Sequence, residues 1–147
     1  MAGMNDTGAV AGPAPARVGR FRRLAVTGIA AALVAMAVTT LAAAAAQAAG
    51  ADFEIPDGGE SIPLPGFAVV TGFFSVVGLA IAAALLRWSA RPATRFVWTA
   101  VSLTAISLLP PLLSGANTGT TAALVVLHLV PAAVMIPALA WSLRRLS

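Results

Sequence analysis

Polar and apolar positions in this chain are gathered into blocks rather than alternated. Four apolar runs, Leu24 to about Ala49, Phe67 to Leu86, Phe96 to about Leu113 and Thr120 to about Leu143, contain no Asp, Glu, Lys or Arg. Each approaches or exceeds the roughly 20 residues a helix needs to cross the hydrocarbon core of a bilayer. The pattern predicts an all-α protein, an integral membrane four-helix bundle. Residues 1–23 are small, polar and finally basic, and read as a disordered cytosolic tail. Residues 50–66 form the longest gap between runs and read as an extracytoplasmic loop.

Charge orders these blocks. All nine basic side chains are arginine, placed at Arg17, Arg20, Arg22 and Arg23, at Arg87, Arg91 and Arg95 between the second and third runs, and at Arg144 and Arg145. The other two connections hold none. That alternation is the positive-inside pattern of a four-pass plasma-membrane protein with both termini cytoplasmic. Trp88, Trp98 and Trp141 all fall at the same expected cytosolic edge, where amphipathic rings favour the headgroup layer. A rival reading takes the first run as a secretory signal with an A-x-A site at Ala46 to Ala48, but the run far exceeds a signal's apolar core of about 7 to 15 residues.

Composition agrees with membrane residence. In 147 residues, 59% are hydrophobic and 10% charged, more apolar surface than a soluble domain of this size can bury. The net charge of +4 comes from arginines at the ends of apolar runs and not from an extended basic stripe, so nucleic acid is not an expected partner. The chain has no cysteine, which removes disulfide and thiolate chemistry.

Helix contacts in lipid depend on small residues. Thr71, Ser75, Gly78 and Ala82 recur three or four apart and predict a packing face on the second helix. Thr99, Thr104, Ser107 and Ser114 give the third a mildly polar stripe expected to face the bundle. Pro110 and Pro111 free the carbonyls of Ile106 and Ser107, and Pro131 and Pro137 free those of Leu127 and Ala133, so kinks are expected in the third and fourth helices.

Candidate chemistry is sparse. His128 is the one titratable side chain expected inside the membrane, a proton-relay candidate or else a neutral ring bonded to a Ser or Thr of the third helix. The loop "ADFEIPDGGESIPLPG" carries Asp52, Glu54, Asp57 and Glu60, a local negative field that could attract cations, although its spacing matches no EF-hand. Its "PDGGE" is turn chemistry, and the flanks alternate enough for a short hairpin or interfacial cap. The simpler role is a water-exposed loop kept out of lipid by its acids. No nucleophile, zinc or phosphate-loop motif is present, so neither an enzyme nor a cofactor is expected.

The Arg-rich start and Ala-rich first helix are followed by "DFEIPDGGESIPLPGFAVVT", the Arg loop, "LTAISLLPPLLSG" and "LVVLHLVPAAVMIPALA". Over Arg22 to Arg145 this order resembles an uncharacterised family of small four-helix actinobacterial membrane proteins, a domain of unknown function. The resemblance implies an integral membrane bundle and brings no catalytic residue. The expected role is a structural or interaction component of the cell envelope, with the lipid bilayer and a homo-oligomer or larger membrane protein as partners. The alternative is a small transporter or channel subunit using His128 and the proline-containing helices.

Overall fold

A computed structural model describes residues 14–54 and 61–147. The order is α1 (Ala14–Ala48), α2 (Leu64–Trp88), α3 (Pro92–Ser107), α4 (Leu109–Leu113) and α5 (Thr118–Leu146). With α3 and α4 taken as one span, four helices are long and apolar enough to cross a membrane. The expected all-α, four-helix architecture is therefore present.

The first helix begins before its apolar run. Residues 14–23 are helical, which corrects the disordered-tail reading for that part; residues 1–13 lie outside the described residues. Pro15 fits because a first-turn proline gives up an N–H that has no helical partner anyway. Ala and Arg are strong helix formers. Arg20 also donates from Nη1 to the Leu146 carbonyl at 3.2 Å, so the end of α5 braces the extension. Similarly α2 starts at Leu64, with a proline in its first turn.

Small residues set the close approaches. On α1, Leu24, Gly28, Ala31, Ala35, Thr39 and Ala43 are buried, at spacings of three and four that keep them on one side. On α2 the expected face is found: Thr71, Ser75 and Ala82 are buried and Gly78 is partly buried. A β-carbon at Gly28 would stand 2.5 Å from Leu79 Cδ1, and one at Gly72 would stand 3.1 Å from Met36 Sδ. Because residue 28 meets 79 while 36 meets 72, α1 and α2 run antiparallel. Arg20 beside Leu146, with Ala43 packed among Leu124 and Leu127, gives the same relation for α1 and α5.

The main core joins Leu24, Ala31 and Ala35 to Ala82, Phe96, Met135, Leu139 and Leu143. A smaller cluster of Ala43, Phe53, Leu124 and Leu127 closes the other end. Only Pro92 and Phe96 of α3 are fully buried, so that helix lies at the edge of the bundle. Thr104 and Ser107 are half-buried toward the bundle, but Thr99 is exposed, so the expected polar stripe is only partly realised. Thr104 and Ser107 spend their hydroxyls on the carbonyls of Ala100 and Thr104 in their own helix, at 2.8 and 2.7 Å.

Proline acts differently in the two places. At Pro110 and Pro111 the helix is interrupted at Leu108, whose N–H turns back to the Ala105 carbonyl at 3.3 Å, and α4 resumes at Leu109. By contrast α5 is one helix through Pro131 and Pro137. Two adjacent missing donors end a ladder that isolated ones leave intact on either side.

Candidate functional site

The loop between α1 and α2 is tied down by a carboxylate. Asp52 Oδ1 accepts from Thr120 Oγ1 at 2.7 Å and from the Glu54 N–H at 3.3 Å. Asn117 Nδ2 donates to both Asp52 oxygens, at 3.3 and 3.2 Å. Asn117 is also the N-cap of α5, its Oδ1 accepting from the Thr120 N–H at 2.8 Å. One carboxylate thus joins the first interhelical loop to the start of the last helix, where the helix dipole favours negative charge. The Thr120 hydrogen bond first, and the Glu54 amide next, hold the Asp52 carboxyl below the ordinary carboxylate range.

Phe53 plugs the space beneath. It has positive φ, 52°, yet its side chain is fully buried. Its ring lies 5.0 Å from that of Phe67 and packs with Ala43, Leu124 and Leu127. A left-handed phenylalanine costs about 1–2 kcal/mol, which burial of an aromatic side chain outweighs. Glu54 pairs with Ser61 in an isolated antiparallel bridge, and the Ile62 N–H reaches the Phe53 carbonyl at 3.3 Å, so the flanks close as a short hairpin-like contact.

Of the four sequence-predicted carboxylates, Asp52 belongs to this staple and Glu54 is exposed beside it, while Asp57 and Glu60 lie outside the described residues together with the "PDGGE" turn. Among the described residues no group of three or more His, Asp or Glu side chains could hold a metal ion. Thr120, Asn117 and Phe53 were not singled out from sequence. The Asn-Thr-Gly-Thr order at the start of an apolar run is an N-cap signal that could have flagged the first two.

His128 lies elsewhere, half-buried on α5. Its Nδ1 is 2.8 Å from the Leu124 carbonyl one turn earlier. The expected bond to a Ser or Thr of the third helix is replaced by this contact within its own helix. A carbonyl can only accept, so Nδ1 carries a proton in this contact.

At the opposite end the aromatic and basic residues gather. Trp88 ends α2, Trp98 lies near the start of α3 and Trp141 near the end of α5, all exposed. The Arg145 guanidinium is 3.9 Å from the Trp141 ring centre, and that of Arg87 is 5.7 Å from Trp88. The common edge expected from sequence is therefore present as a common end of the bundle.

A family model described as a family of unknown function, DUF6069, matches residues 19–145, and the chain belongs to that family. No curated protein and no solved structure matches the chain.

Proposed function

We propose that this DUF6069 member resides in the plasma membrane, with both termini cytoplasmic, as a structural or interaction component that associates with itself or with a larger membrane protein. The carrying observation is that four polar groups within the apolar spans bond inside their own helices, whereas the buried hydroxyls of Thr39 and Ser75 have no partner among the described residues. Thr40, Thr104, Ser107 and His128 each contact a carbonyl of their own helix, at 2.8, 2.8, 2.7 and 2.8 Å. Such bonds satisfy these four groups where they stand, which leaves helix association to close packing at small residues such as Gly28 and Gly72. A transport route would instead bring polar groups from several helices to one place.

The arginine distribution supports the orientation, and the three tryptophans at the arginine-bearing end support a headgroup boundary there. Native mass spectrometry of the protein released gently from its own membrane tests the role. Full-length chain recovered as an oligomer, or with a second membrane protein in fixed ratio, is expected. Monomer alone, at every detergent strength, would remove the interaction role. Proteoliposomes loaded with a pH-sensitive dye test the rival: a proton leak abolished by His128→Ala would replace this reading with transport.

A further inference from the structure

At the end opposite the acidic loop, a cleft opens between the first turns of α1 and the last turn of α5. Ala16, Gly19, Arg20, Arg23, Arg145 and Leu146 line about 360 Å³. We propose that this cleft binds the phosphate group of an anionic phospholipid, an assignment that rests on the membrane residence proposed above.

Three arginines line one small space, and the planar fork of a guanidinium suits phosphate oxygens better than any other common anion-binding side chain does. The described acidic side chains, Asp52 and Glu54, stand beyond the far end of α1. Two of the arginines are already oriented: Arg20 by its bond to the Leu146 carbonyl at 3.2 Å, and Arg145 by stacking 3.9 Å from the Trp141 ring. Immobilising them in advance lowers the entropy lost on binding. Gly19 also lines the cleft, and a β-carbon there would meet nothing within 4 Å, so a longer side chain can be introduced at this position. The volume is near the low end of ligand pockets, about 300–1,000 Å³, which suits a headgroup whose chains remain outside.

The surroundings select lipid over free phosphate. Val26, one turn beyond Arg23 on α1, is 62% exposed and offers apolar surface against which an acyl chain would lie. Trp98 and Trp141 are exposed at the same end, where amphipathic rings mark the headgroup level. Basic pockets between spanning helices are a recurring way of holding acidic headgroups. The terminal carbonyls of α5 place partial negative charge on one wall, and Arg20 answers one of them, while Arg23 and Arg145 also line the cleft.

The full chain is placed in phosphatidylcholine nanodiscs containing a minor fraction of phosphatidylglycerol, and lipid retained on release is read by native mass spectrometry. Wild type should keep phosphatidylglycerol selectively. Arg23→Gln with Arg145→Gln should weaken retention about tenfold more than Arg91→Gln with Arg95→Gln, which removes equal charge from the α2–α3 connection. Gly19→Glu should also empty the cleft while sparing the arginines, so it gives a readout even if the cleft double variant is poorly folded. Equal loss in the two double variants, with Gly19→Glu silent, would reduce the effect to general surface charge and overturn the site. Displacement of the lipid by inorganic phosphate at matched concentration would assign the cleft to a free anion and overturn the lipid. Wild type that fails to enter nanodiscs removes membrane residence itself, whereas insertion without selective retention removes this site alone.

Discussion

At the scale of single residues, Asp52 and Phe53 hold the loop to the bundle by different forces. Asp52 has a lowered carboxyl pKa when folded, so the ionised form is favoured in the folded state. Its contribution is therefore complete above the ordinary carboxylate range and is lost as pH falls through the lowered value. Hydrogen exchange of the Glu54 amide should show slower exchange relative to Asp52→Ala at about pH 6, with the difference gone once acid has protonated Asp52. Asn117→Ala removes the α5 cap and one partner of Asp52, and thermal unfolding should register a loss of about 0.5–2 kcal/mol. For Phe53, truncation to Ala should cost about 3–5 kcal/mol, since this plug lies in the connecting loop where water is the competing environment. Phe53→Gly should lose about 1 kcal/mol less, because glycine is at ease at φ 52°. If Gly were instead worse than Ala, backbone strain would not be part of the balance. The acids of this loop were visible in the sequence as charges, but not as a staple: Asp52 and Thr120 are 68 positions apart, and no local pattern reports a bond of that range. His128 was legible as a polar group in an apolar span, while its partner was missed because the nearest acceptor was the helix's own carbonyl.

At the scale of elements, periodicity identified the helices and the small-residue face of α2, since both depend on residues three and four apart. It missed the true start of α1, because Ala14 to Arg23 lack an apolar stripe and become helical with α5 as a brace at Arg20. It also treated three prolines sites alike, while the adjacent pair broke α3 from α4 and the separated pair left α5 continuous. The contact between α1 and α2 has a sharp test. A side chain at Gly28 would collide with Leu79, so Gly28→Val should destabilise the bundle by about 1–3 kcal/mol. Adding Leu79→Ala should recover part of that loss, as a shared space demands. Gly72→Ala should cost less, because its neighbour is the flexible thioether of Met36. Additive losses at 28 and 79 in a titrated unfolding experiment would mean that the two helices do not meet there.

For the whole molecule, the arrangement of ends carries the most consequence. The α1–α2 and α4–α5 connections come together through Asp52, Asn117 and Thr120, while the chain's basic ends and the α2–α3 connection collect the arginines and tryptophans at the other pole. Segregation of this kind follows from antiparallel helices of even number, and it was readable from charge placement before any contact was known. If the apolar flanks meet lipid, the two poles must open to different compartments. The chain contains no cysteine, so a single introduced thiol reports its own position without background. Ala90→Cys in the α2–α3 connection and Thr118→Cys at the start of α5 are both exposed positions. In intact cells a membrane-impermeant maleimide should label Thr118→Cys and leave Ala90→Cys untouched until the membrane is opened, as the arginine distribution requires. Labelling of Ala90→Cys alone would invert the molecule and place the arginine cleft in the outer leaflet; labelling of both would mean that the helices between them do not cross.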